Sequence, residues 1–273
     1  MSVPRETLAV PQQALRTING QGSLRDLPRV AIVSDFIDYY DHAFCPRYEA
    51  EVVWDRRSRN DMSKADQFAL LEKQGFKVPE HGKVTDVCTK LREKFLPACR
   101  GQSGRGFTPE IFNLYAETIR VVVYLDEFAH RGEGKILTTL GDALREYPYL
   151  YCSRFVESEP SYPGIEYATS YRHLQIGRRS FCLRYGGFGS WMSNHAKEVE
   201  VEFLFEGYEG RGPLSSHVPY PVFAIDMVQS GPWLYAVDFN TAPGIDGTGI
   251  PLSPQEIYQL VAEWFAANVS NVS

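Results

Sequence analysis

The 273-residue chain contains no apolar run approaching the ~20 residues that a membrane-spanning helix requires. Its opening stretch, MSVPRETLAVPQQALRTINGQGSL, lacks the basic-then-apolar profile of a signal peptide. Both absences point to a cytoplasmic protein. Positive charge is not in excess: 28 lysines and arginines stand against 34 aspartates and glutamates, for a net charge of −6. Duplex-binding proteins carry a basic balance or a basic stripe, so nucleic acid is not an expected partner. Short basic pieces (Arg56, Arg57 and Arg59; Arg178 and Arg179) sit among acids as solvated surface. The five cysteines (Cys45, Cys88, Cys99, Cys152 and Cys182) form no C-x-x-C pair. An odd count in a long chain indicates reduced thiols rather than a disulfide frame. No H-x-x-x-H or H-E-x-x-H spacing occurs, which argues against zinc. There is no G-x-S-x-G elbow, no Ser/His/Asp arrangement, no internal repeat and no low-complexity tract.

What is present is ordinary globular composition, with 44% hydrophobic and 23% charged residues. The length suits one large domain or two closely packed ones. Residues 1–28 are polar and read as a flexible N-terminal arm. Residues 29–61 form a short N-terminal α/β segment that opens with a buried strand, RVAIVS. Ser63 is placed to cap a helix that closes at Gly75, with Asp66 suited to its first turn. Thr108-Pro109-Glu110 starts another helix, and RVVVYL is a β-branched strand. A short helix is expected over 140–147. The second half is mostly strand: YLYCSRFVE, SYRHLQIG, SFCLRYGG, VEVEFLF, PVFAIDMV and WLYAVDFN. Gly177-Arg178 and Ser230-Gly231-Pro232 suit hairpin turns between them. Ser253-Pro254-Gln255-Glu256 is a capping box, followed by Ile257, Leu260, Val261, Trp264 and Phe265 at helical spacing. The class is α+β.

Three constellations could carry chemistry. Asp238 and Asn240, two apart on a strand, share a face. If the hairpin turns near Pro232, Asp226 stands opposite Asp238. Two carboxylates and an amide oxygen on one face suit magnesium better than zinc. A polar strand face open to water is the competing reading. The TAPGIDGTG loop that follows can bring backbone amides to a ligand. Second, the His130–Lys135 loop, with glycines and Lys135, could meet phosphates. It is not a P-loop, and an ordinary turn is the alternative. Third, Arg172 and Arg184 lie on neighbouring strands, with Asn194 closing GGFGSWMSN. Each arginine is a candidate phosphate clamp, or else a partner for a glutamate of EVEVEF.

Taken in order, these pieces resemble the ATP-grasp superfamily over residues 62–268. MSKADQFALLEKQGFKVP is similar to its opening helix, with a lysine near the start. RVVVYLDEFAHRGEGK is similar to the strand and glycine-rich loop over the phosphates, and YLYCSRFVES to the hinge strand beside adenine. YRHLQIGRRSFCLRY with SWMSN resembles the R-x-x-x-x-G … R … R-S-N passage of ribosomal-protein glutamate ligases and glutathione synthetases. PVFAIDMVQSGPWLYAVDFNTAPGIDGTGI resembles the D … E-x-N-x-x-P-G signature, which D-alanine–D-alanine ligase also carries.

The resemblance implies two α+β subdomains, 62–150 and 151–273, that hold ATP between them. It implies Mg2+ on Asp226, Asp238 and Asn240, with Arg184 and Asn194 near the triphosphate and the forming acyl phosphate. Lys135 and Arg172 would serve the nucleotide, Glu157 or Glu166 its ribose, and Phe155 and Val156 its adenine. The implied activity is a carboxylate–amine ligase acting on small-molecule or peptide substrates. A non-catalytic nucleotide-binding module and an ATP-grasp kinase are the alternatives. The sequence departs from the pattern at three residues. Tyr124 stands where a lysine usually ends the strand, Met192 replaces the arginine of R-S-N, and Asp238 replaces the usual glutamate. The N-terminal substrate domain is also short.

Overall fold

The computed structural model describes residues 27–34, 45, 49–56, 62–100, 109–128, 134–159, 167–193, 196–207, 218, 220–241 and 243–268. Residues 1–26 of the expected arm, most of the His130–Lys135 loop, Glu166 and Asn194 lie outside the described residues. In chain order the elements are β1 (Val30–Ser34), β2 (Val52–Arg56), α1 (Lys64–Lys73), β3 (His81–Lys83), α2 (Val84–Arg100), α3 (Pro109–Ala116), β4 (Arg120–Tyr124) and β5 (Lys135–Thr139). They continue with α4 (Leu140–Glu146), β6 (Tyr151–Arg154), β7 (Tyr167–Ile176), β8 (Arg179–Phe188), β9 (Glu198–Glu206), β10 (Val222–Ser230), β11 (Trp233–Asn240) and α5 (Pro254–Asn268). The fold is α+β, as the sequence indicates.

Five strands form a large sheet in the order β11-β10-β7-β8-β9. All its neighbours run antiparallel. Hairpins at Gly177 and Gly231 connect them, and both glycines have positive φ, 54° and 56°. A smaller antiparallel sheet has the order β3-β6-β4-β5. The sequence pattern groups β6 with the second half, but β6 pairs with β3 and β4. In sequence the stretch before Ser63 is irregular after its first strand; in the structure β2 lies there and pairs in parallel with β1.

Three cores hold these layers together. One face of the large sheet (Leu174, Ile176, Phe181, Leu183, Val222) packs on Ile257, Leu260, Val261 and Phe265 of α5, with Val30 and Val52 beside them. The outer face of the small sheet packs on α2, α3 and α4 through Val84, Val87, Leu91, Phe112 and Leu140. Between the sheets lies a third cluster. Val122 and Tyr124 of β4 meet Phe223, Ile225, Met227, Ala236 and Phe239 of β10 and β11, and Phe68 and Leu71 of α1 pack into the same cluster. Helix α1 therefore touches both sheets. Its start is fixed by a full capping box, in which Ser63 Oγ accepts from Asp66 N–H and Asp66 returns the bond to the Ser63 backbone.

Candidate functional site

The register of the β10–β11 hairpin decides the first constellation. Asp226 pairs directly with Asp238, and Ala224 with Asn240. A register shift follows at Asp226/Met227, since Met227 pairs with Ala236. The two carboxylates are thus cross-strand neighbours, as turn chemistry predicts.

Each carboxylate has its own cation. Asp226 is buried and is held by Arg172 through two parallel bonds, Nε to Oδ1 at 2.6 Å and Nη2 to Oδ2 at 2.8 Å. Arg172 is equally buried, and β7 sets it beside Asp226 in register. Its Nη1 donates to the Tyr185 hydroxyl at 3.3 Å, and the guanidinium lies 4.8 Å from that ring's centre. The bidentate carboxylate raises the Arg172 pKa against the opposing effect of burial.

Asp238 is approached by two lysines. Lys64, in the first turn of α1, donates to Asp238 Oδ1 and to Gln67 Oε1, the latter at 2.8 Å. Lys135 Nζ lies 3.9 Å from the same Oδ1. Gln67 fixes the arrangement, because its Oε1 also accepts from Phe239 N–H at 3.3 Å. Both ammonium groups stand near the ring of Tyr124, at 5.6 Å for Lys64 and 5.9 Å for Lys135. Lys64 is only 3% exposed. Burial, together with the neighbouring Lys135, pushes its pKa well below the usual lysine range. Burial lowers that of Lys135 as well. Tyr124 donates to or accepts from Ser153 Oγ at 3.1 Å, and burial pushes its phenol up to about 12.

Lys135 reaches the site because it opens β5 and is not a loop residue. It pairs in register with Tyr124, the position where the ATP-grasp pattern carries a lysine. The ammonium is thus delivered from the next strand. Lys64 has no role legible in the sequence beyond marking a helix start. Only its place in the opening-helix motif hints at one, since α1 packing on β11 is a tertiary fact.

Not every expected residue joins this cluster. Arg184 pairs in register with Tyr171, one residue from Arg172, so strand alternation puts it on the opposite sheet face from Arg172 and Asp226. It pairs there with Glu202 of β9 at 2.8 Å, which is the alternative reading from sequence. Glu157 is exposed and salt-bridged to Arg120. Phe155 lies under the Arg120 guanidinium at 4.5 Å and meets Trp191 edge-on at 5.9 Å. Val156 is buried beside it in sequence. Among the described residues no group of three His, Cys, Asp or Glu side chains could hold a metal. Asp226, Asp238 and Asn240 would offer oxygen donors alone, Asp226 through the lone pairs that Arg172 leaves. That all-oxygen set on adjacent strands fits magnesium in chemistry and in register.

No protein-family model and no curated protein matches the chain. Solved structures do. D-alanine–D-alanine ligase from Bacillus anthracis, complexed with ATP, is 11% identical over 77% of this chain and 67% of its own, with a TM-score of 0.41. A RiPP-associated ATP-grasp ligase from Chryseobacterium gregarium, in complex with ADP and a leader and core peptide, is 16% identical over 76% of this chain and 60% of its own, with a TM-score of 0.42. The RimK domain protein ATP-grasp from Sphaerobacter thermophilus is 12% identical over 72% and 64%, with a TM-score of 0.34. The similarity is to ATP-grasp proteins. The chain spans less than two thirds of the length of the latter two. Among the described residues no helix is long and apolar enough to cross a membrane.

Proposed function

We propose that this chain is an ATP-grasp carboxylate–amine ligase that uses ATP and magnesium. One observation carries the reading. Three basic groups, Lys64, Lys135 and Arg172, surround two carboxylates, Asp226 and Asp238, where α1 meets both sheets. Buried positive charge in excess is costly unless an anion joins it. A polyphosphate supplies that anion. Burial lowers the pKa of both lysines, and at Lys64 the neighbouring Lys135 adds to the effect.

In this reading a substrate carboxylate attacks the γ-phosphate of ATP, giving an acyl phosphate and ADP. An amine then displaces phosphate and the amide bond forms. Phosphoryl transfer of this kind needs positioning and charge neutralisation more than a protein nucleophile. Lys64 and Lys135 neutralise phosphate oxygens. Arg172 holds Asp226 rigid, and Gln67 aims Lys64. Asp226, Asp238 and Asn240 would hold magnesium, which supplies further neutralisation of the transferring group. Phe155 and Val156 border the adenine end. Small-molecule or peptide carboxylates and amines are the substrate class.

The test is ATP turnover by Asp238→Ala and by Asn240→Ala across panels of carboxylates and amines. Both variants keep the fold and lose ADP release. Full turnover by the double variant would refute the assignment. Nucleotide binding with no ADP release in any panel would favour the non-catalytic module instead.

A further inference from the structure

Lys64 holds a position with two demands on it. Its ammonium is bonded to Asp238, the more exposed of the two carboxylates that would hold a metal. Its helix also presents it to the space beside Tyr124 and Lys135, where phosphate oxygens would lie. An ammonium on a flexible four-carbon stem can serve either anion, but not both fully at once. Its backbone is fixed: the Ser63 capping box holds the turn, and Lys64 N–H donates to Glu127 O at 3.1 Å. Any exchange of partners is therefore confined to its side chain, which is bonded to Gln67 and Asp238.

We propose that Lys64 is an intramolecular stand-in for the divalent cation at Asp238. With no ligand bound, it neutralises that carboxylate and closes it to free metal. With nucleotide bound, Lys64 swings to phosphate and releases Asp238 to the ion. Gln67 supports the resting position, since its Oε1 accepts from Lys64 and is pinned by Phe239 N–H. Asp226 has no such exchange: Arg172 stays bidentate on it, and the second lone pair of each carboxylate oxygen is what would meet the ion. Free metal therefore binds weakly to the resting protein, and metal and nucleotide bind as a coupled pair. This inference rests on the nucleotide-and-metal reading of the site.

The experiment compares wild type with Lys64→Gln, using Mn2+ as the metal probe and a non-hydrolysable ATP analogue. Electron paramagnetic resonance measures Mn2+ affinity without nucleotide. Calorimetry in chelator measures analogue affinity without metal. The two effects have opposite signs. Lys64→Gln binds free Mn2+ about tenfold tighter, inside the range usual for coupled sites. It binds the metal-free analogue more weakly than wild type. A lysine that only touches phosphate would weaken the analogue and leave Mn2+ affinity unchanged. That result overturns the inference and leaves the proposed function standing. A lysine of purely structural use would weaken both, and the inference would fall in the same way. Wild type that binds no analogue with or without metal would sink the proposed function itself. Should glutamine unfold the protein, Lys64→Met removes both the charge and the hydrogen-bonding demand, and the same pair of signs decides.

Discussion

Asp226 and Asp238 are cross-strand neighbours with different energetic roles. Asp226→Asn leaves the Arg172 guanidinium buried without its counter-charge, and such a loss costs about 3–5 kcal/mol. Urea denaturation measures this as a lowered midpoint. Asp238→Asn removes the counter-charge of the buried Lys64, which keeps its bond to Gln67, so stability falls by less than for Asp226→Asn while ATP turnover is lost. Equal destabilisation by the two would contradict the division of labour. His173 makes stability depend on pH. Burial on β7 lowers its pKa from the ordinary 6.5 to about 4, with the Gln175 side chain opposing. The unfolded chain therefore binds the proton first as pH falls. The contribution is fully present above about pH 6.5 and is lost as pH falls toward about 4, up to about 3 kcal/mol in all. Stability followed between pH 7 and 4 should fall in wild type and fall less in His173→Gln. The Asp226–Asp238 pairing is legible in the sequence because the period of two and the Gly231-Pro232 turn fix it. The Arg172–Asp226 pair is not, since it depends on which strand lies beside β10. Nor is Lys64, whose role comes from a helix packing across 174 positions of sequence.

At the scale of elements, α1 is the part that joins the two sheets. Its first turn meets β11 through Lys64 and Gln67, and its second stacks Phe68 on His81 of β3 at 4.6 Å. Glu72 extends that contact, with His81 Nε2 at 3.3 Å from its carboxylate. Ser63→Ala removes the cap and costs about 1 kcal/mol. It also frays the turn that carries Lys64, so analogue affinity falls with it. Calorimetry and thermal melting on one variant check both effects, and unchanged affinity would separate the helix start from the site. The starts of α1, α3, α4 and α5 are readable because each begins on a cap or a proline. Helix α2 and strand β3 are not legible in this way. The HGK strand is too short to show alternation, and Pro97 within VTDVCTKLREKFLPACR speaks against a helix on local grounds. Packing of Val84, Val87 and Leu91 on the small sheet overrides that signal. The glycines before Lys135 favour a loop there, yet pairing with Tyr124 makes it strand.

At the scale of the molecule, two sheets close on a cluster in which, among the described residues, Lys64, Lys135 and Arg172 meet Asp226 and Asp238. The apolar residues between them, from Val122 to Phe239, set the layers together. In the proposed function the basic groups at the margin of that contact receive the phosphates. The α+β class and the order of motifs are visible in the sequence. The meeting of α1, β5 and β11 is not, because it is written in contacts between distant segments.

The most direct measurement is a thermal-shift titration with a non-hydrolysable ATP analogue, with and without magnesium. Saturation at about 100 times the dissociation constant stabilises the folded state by about 2.7 kcal/mol. For a chain of this size that raises the midpoint by roughly 5–10 °C. The account predicts such a rise, larger with magnesium than without. No shift at millimolar analogue in the presence of magnesium would contradict it.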